Sequence, residues 1–156
     1  MPRVQGIRAS GPWGLHTPDP LVPVKEFFYT GTSFNANRGD FRVRTIATDA
    51  AFRFSFPVPA DLVTLVSVGV MGIPELTNPA AQIDLLSDYG AVGEAFNTHS
   101  ESDLGGTFAV VDDELFELDV TSVFSALAAG DRCGIRVDHM AIGGNIDYIG
   151  VRMAYT

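Results

Sequence analysis

The stretch Asn97–Gly106, NTHSESDLGG, gathers His99, Ser100, Glu101, Ser102 and Asp103 into one polar run. Those are the residue types of a hydrolytic triad, or of a metal site. A serine nucleophile needs a base within hydrogen-bond reach and a third group that orients the base. Adjacent residues of an extended chain point to opposite faces, so His99 and Ser100 turn away from each other if the stretch is extended. Triad members also converge from distant parts of a chain rather than from neighbouring positions, and no Gly-x-Ser-x-Gly elbow occurs. The run is therefore read as a solvated loop between strands, and no catalytic residue is assigned.

The remaining candidates for chemistry are sparse. His16, His99 and His139 are the three histidines, and none has a second histidine at i+2 or i+4 to form a metal pair. A hard-cation site built from Asp112, Asp113 and Glu114, with Asp84 or Asp88, needs only converging oxygens. The segment lacks the spaced Asp/Asn and Gly of an EF-hand loop, so no metal ligand and no cofactor is assigned. Arg38-Gly39-Asp40 is a tripeptide that adhesion receptors can read on a loop tip, but Asn, Gly and Asp are also ordinary hairpin residues, and it reads as a turn. The glycines of GAVGEAF and GTSFNANRG come without a P-loop lysine or a βαβ context.

Composition narrows the partners. The 156 residues suit one domain with its own core. A formal net charge of −9, with a single lysine (Lys25) and only Arg42 and Arg44 close together on one strand face, opposes nucleic-acid binding and a membrane-surface role. Cys133 is the sole cysteine, which excludes an intrachain disulfide and a cysteine zinc site and suits a buried thiol in a reducing compartment. MPRVQGIRAS has no apolar run behind its basic residue, so it does not read as a secretory signal. The longest apolar run, Leu62–Ile73, falls short of a bilayer span.

The elements that must position any site read as strands. Residues 1–25 differ from the rest: Pro12, Pro18, Pro20 and Pro23 remove donors and fix φ, so the segment predicts an extended arm. Trp13, Leu15, Leu21 and Val22 are its candidate anchors on a surface, its own or a neighbour's. At most about 85 Å of extended chain is available to cross a neighbouring subunit. Residues 26–156 form the second unit. EFFYTGT opens it. FRVRTIA sets Phe41, Val43 and Thr45 against Arg42, Arg44 and Ile46, and FRFSFPV sets Phe52, Phe54 and Phe56 against Arg53 and Ser55. VPAD turns the chain, Leu62–Ile73 suits a central strand covered on both sides, and QIDLLSDYG is a shorter strand. EAFNTH is a weaker strand, and TFAVV and LFELDV read as a hairpin across DDE. DVTSVFSALAAGD gives a short helix near 121–129, capped by Asp119 or Thr121 and ended by Gly130. CGIRVDHM and NIDYIGVRMAY meet across AIGGN. About eight antiparallel strands with short turns predict an all-β, two-sheet sandwich of the jelly-roll type.

FRFSFPVPADLVTLVSVGVMGIP, AAGDRCGIRVDHM and the terminal YIGVRMAYT together resemble β-sandwich structural proteins of tailed bacteriophages, such as capsid decoration and fibre-head domains. The resemblance runs from about Glu26 to Thr156, rests on strand boundaries, and carries no site residue; the proline-rich front matches no arm of that group. It implies a non-enzymatic subunit of a viral or virus-derived particle, made in the host cytoplasm and resident in the virion. Its partners would be further copies of itself, as a trimer for example, and a major shell protein. The alternative expectation is a glycan- or receptor-binding module whose end loops present an aromatic such as Tyr89 or Phe96. An enzyme on the same fold would need a titratable cluster in a concave pocket, which the sequence does not advertise.

Overall fold

The computed structural model describes residues 23–31, 34 and 36–156. Ten strands follow one another: β1 (Lys25–Tyr29), β2 (Ala36–Arg38), β3 (Phe41–Ile46), β4 (Ala51–Pro57), β5 (Leu65–Pro74), β6 (Asn78–Gly90), β7 (His99–Val110), β8 (Phe116–Asp119), β9 (Arg132–Ala141) and β10 (Ile146–Tyr155). All pairings are antiparallel. One sheet has six strands, in the order β2-β3-β10-β5-β8 with β1 also on β10, and the other has four, β4-β9-β6-β7. β3 pairs with the start of β10 and β1 with its end, so the two share one flank of that strand. This is the expected all-β sandwich of jelly-roll type. The proposed arm anchors Trp13, Leu15, Leu21 and Val22 lie outside the described residues.

The inner faces follow the period-two pattern. Phe52, Phe54 and Phe56 point inward from β4, and Phe52 stacks on Tyr148 of β10 with ring centroids 4.2 Å apart, joining the two sheets. Val68 and Val70 of β5, Ile135 and Val137 of β9, and Val151 and Met153 of β10 fill the same layer. His139 is buried with them. Its Nε2 lies 2.8 Å from the Tyr148 hydroxyl and its Nδ1 3.1 Å from the Ala47 carbonyl oxygen. The carbonyl can only accept, so Nδ1 carries the proton and Nε2 accepts from Tyr148. Burial lowers the His139 pKa below its ordinary value, consistent with a neutral ring. Cys133 is the buried strand thiol the sequence suggests, pushed up to about 12 first by burial.

Several local expectations change. NTHSESDLGG is not a loop: from His99 onward it belongs to β7, an edge strand, while EAFNTH lies mostly in the turn before it. Pairing with β6 from Tyr89↔His99 to Ile83↔Gly106 absorbs its backbone groups, although its side chains are too polar to announce a strand. TFAVV and LFELDV do not form a hairpin, since β7 pairs with β6 and β8 with β5; the Asp112–Glu114 turn crosses between sheets. The AIGGN connection likewise carries the chain from β9 in one sheet to β10 in the other.

The helix expected near 121–129 reduces to one 3-10 turn, Thr121–Val123. Side chains take the donors a helix would use. Asp119 accepts from the Thr121 N–H, Glu101 from Ser125, the Tyr89 hydroxyl from Ala126, and Asp131 from Ala128. Local and distant side chains together thus satisfy the segment without an i→i−4 ladder.

Gly150 shows where the six-stranded sheet needs a glycine. A Cβ there would collide with the Tyr29 carbonyl oxygen, because β1 ends against β10 at Tyr29↔Val151, beside the β10–β5 irregularity between Tyr148 and Gly150. Only a residue without a side chain allows that approach.

Candidate functional site

The outer face of the four-stranded sheet carries a polar groove. Because Phe52, Phe54 and Phe56 turn inward, Arg53 and Ser55 turn out, and the ladder register places their neighbours. One row across the sheet is Ser55–Gly134–Asp88–Ser100, and the next is Arg53–Arg136–Leu86–Ser102. Thr30, Gly31 and Phe34 form a wall beside β4, enclosing a hollow of about 640 Å³ over Arg53, Ser55, Asp88 and Arg136. A second hollow of about 370 Å³ shares Ser55, Asp88 and Gly134 with the first and runs on to Arg132 and Phe96. Together they form a trough across the rows.

Gly134 is the floor. A Cβ built there would meet only the Asp88 carbonyl oxygen, at 3.8 Å, and the residue does not adopt a left-handed conformation. The backbone therefore tolerates a side chain at this position, and a β-branched one would favour the strand. Glycine keeps open a notch between the Ser55 hydroxyl and the Asp88 carboxylate, which are separated by one strand. The chemistry on offer is hydrogen bonding: guanidinium donors, hydroxyls that donate and accept, and a carboxylate that accepts.

Phe96 closes one end. It is 77% exposed, in the turn between β6 and β7, and lines the second hollow. Tyr89, the other aromatic of the binding-module expectation, is fully buried and structural. Its hydroxyl donates to Glu101 and accepts from the Ala126 N–H, and burial followed by the Glu101 contact pushes its pKa up to about 12. Burial opposes ionisation of Glu101 as well, yet the bonds from Tyr89 and Ser125 hold its pKa below the usual carboxylate value.

The other sequence candidates are dispersed. His99 stacks on Tyr89 at 4.9 Å on the inward side of β7, whereas Ser100 and Ser102 lie on the outer face, so these side chains do not converge as a triad. Asp112–Glu114 lies at the turn between sheets, Asp84 accepts from the Gly105 N–H, and Asp88 lies in the groove. Among the described residues no three His, Cys, Asp or Glu side chains cluster to hold a metal. Arg38 of the RGD tripeptide pairs with Asp113 and contacts Glu75 at 3.4 Å, while Gly39 (φ +56°) makes the expected turn.

The sequence reading missed Gly134 and the arginine pairing. An isolated glycine inside the strand pattern RCGIRV is a signal of close approach to the sheet. The pairing of Arg53 with Arg136 depends on register, which no local pattern reveals.

Another hollow, of about 660 Å³, lies on the outer face of the six-stranded sheet and is mainly apolar, with Phe28, Phe41, Met71, Leu115 and Ile149 around it. Phe28, Phe41 and Leu115 are about half exposed.

No family model matches the chain, and no curated protein does. Among solved structures, the carbohydrate-binding module TmCBM61 in complex with beta-1,4-galactotriose is similar at 14% identity and TM-score 0.40, over 85% of this chain and 88% of that one. A family two carbohydrate esterase from Cellvibrio japonicus is similar at 12% identity and TM-score 0.36, over 86% of this chain and 35% of that one. A structure of infectious bursal disease virus, Gx strain, matches at 12% identity and TM-score 0.19, over 96% of this chain and 46% of that one. At such identities the likeness concerns the β fold alone.

Proposed function

We propose that the protein is a non-catalytic β-sandwich module that binds a glycan along the outer face of its four-stranded sheet. The observation that carries the reading is the notch at Gly134, where the fold makes no demand for glycine and a side chain would fill the trough. Sugar hydroxyls both donate and accept, which matches the mixture of Ser55, Asp88 and Ser100 in one row. Phe96 at the end of the trough offers a flat apolar face to the C–H face of a sugar ring. The test is a glycan array probed with the full chain, followed by NMR mapping of the best ligand. Shifts concentrated at residues 53–55, 86–88, 96 and 134–136 support the reading; absence of any ligand, or shifts confined to the opposite sheet, overturns it.

A second reading, a structural subunit of a viral or virus-derived particle, is favoured by the apolar hollow at Phe28, Phe41 and Leu115. Exposed apolar surface of that kind is suited to cover by another protein chain. In that reading the residues before Lys25 supply further contacts, and the partner is a second copy or a shell protein. Light scattering over a concentration series tests it: a defined oligomer that Phe41→Ser reduces to smaller species supports assembly, and a monomer throughout contradicts self-assembly through this face.

A further inference from the structure

Two arginines stand directly opposite each other on the groove floor. Arg53 of β4 and Arg136 of β9 are ladder partners on the same outer face. Like charges in that relation destabilise a sheet unless something offsets them. Arg136 has its offset within the fold: its Nε donates to Asp138 Oδ1 at 2.6 Å and its Nη2 to Oδ2. Arg53 has none, since among the described residues no carboxylate lies within ion-pair distance of it. A local rule broken inside a concave polar site points to a missing ligand.

The middle of the trough, where the two hollows join, has the opposite need. Asp88 forms no ion pair among the described residues, and it lies one row from Arg53, a step of about 6.6 Å along the strands, and two strands away. A ligand that satisfies both needs carries an anion at one point and hydroxyl donors a sugar ring away. Resting on the glycan-binding reading of this groove, we infer that its ligand is an acidic glycan whose sugar carries a carboxylate, a uronate. The carboxylate sits on the Arg53 guanidinium, whose planar fork matches two carboxylate oxygens. The ring hydroxyls meet Ser55, Asp88 and Ser100 across the Gly134 notch. The chain's net charge of −9 does not forbid this, because fields from charges beyond about 8 Å are largely screened at physiological salt.

The experiment is calorimetric titration of the full chain with galacturonate, mannuronate and glucuronate oligosaccharides, each beside its methyl-esterified form, which keeps the hydroxyls and removes the charge. Neutral and sulfated oligosaccharides complete the set. At least one uronate series should bind, with affinity falling about 10-fold or more on esterification and by a similar factor in Arg53→Gln. Arg53→Lys should recover only part of the loss, and added salt should weaken the wild type more than Arg53→Gln. Equal binding of the acidic and esterified forms, unaffected by Arg53→Gln, overturns the uronate inference while leaving the glycan site standing. Binding of sulfated but not carboxylated sugars overturns the carboxylate assignment. Failure of every sugar, neutral ones included, overturns the underlying reading as well.

Discussion

The two outer faces of the sandwich share one backbone geometry, yet the chemistry around their hollows differs. On the six-stranded sheet Val43, Ile73 and Ile149 form a small apolar cluster, bordered by the half-exposed Phe28, Phe41 and Leu115. On the four-stranded sheet the corresponding rows hold Arg53, Ser55, Arg136, Asp88 and two serines around Gly134. The pleat only decides which residues face out; their types decide whether a face suits another protein surface or a polar ligand. The glycines make the contrast sharper. Gly150 is required by the close passage of β1, whereas nothing in the fold requires Gly134.

The largest effect expected is therefore a difference between two glycine substitutions. Gly150→Val should cost about 2–3 kcal/mol by forcing β1 away from β10, measured by urea unfolding with several probes. Gly134→Val should stay within about 0.5 kcal/mol of the wild type, since its side chain enters open space in a strand. Equal losses at the two positions would show that the floor of the groove is a packing position after all.

A smaller effect separates the aromatics of the two faces. Phe96→Ala should weaken glycan binding by about 10-fold, the loss of one stacking surface, while Phe28→Ala on the other sheet should leave glycan affinity unchanged. Isothermal titration of both variants reads the contrast.

Between the faces lies His139, whose protonation links the sheets to pH. Its folded pKa is depressed, first by burial, so its contribution to stability is present above the unfolded value of about 6.5. That contribution is lost as pH falls through about 6.5 toward the folded value, because the unfolded chain binds the proton first. Urea midpoints measured from neutral pH downward should therefore decline in that window, and His139→Gln should flatten the decline. The carboxylates whose pKa values are lowered, Glu101 and Asp61, act in a more acidic range, and the two windows should separate.

The smallest effect belongs to an ion-pair network across the middle of the six-stranded face. Arg152 donates to Glu117 at 2.7 Å and to Glu26 at 2.8 Å in a partly exposed network. Arg152→Met should cost only about 0.5 kcal/mol, and less in high salt, because solvent screens the pairs. Thermal unfolding at two ionic strengths measures it.

How far the sequence went differs between core and groove for physical reasons. Alternation of Phe52, Phe54 and Phe56 with Arg53 and Ser55 is local, and it placed both the inner layer and the outward residues of β4. The first part of β7, His99–Gly106, was illegible because its side chains at an exposed edge are mostly polar, whereas its end was legible in TFAVV. Its pairing depends on the apolar β6 rather than on its own composition. The helix at 121–129 failed for a related reason: Glu101, Tyr89 and Asp131, distant or downstream in sequence, capture the donors. The groove needed register, because Arg53, Gly134 and Asp88 lie on three strands that are adjacent only in the sheet. Phe96 was legible as an exposed loop aromatic, whereas Tyr89 looked alike in sequence and is core.

The groove's role is decided by one titration carried out on three proteins, wild type, Gly134→Leu and Phe41→Ser, each with the glycan that the wild type selects from the array. Gly134→Leu should keep its urea midpoint and lose at least about 10-fold in affinity, while Phe41→Ser should bind as the wild type does. A folded Gly134→Leu protein that binds with full affinity would contradict the account, because the trough across the four-stranded sheet would then not be where the ligand lies.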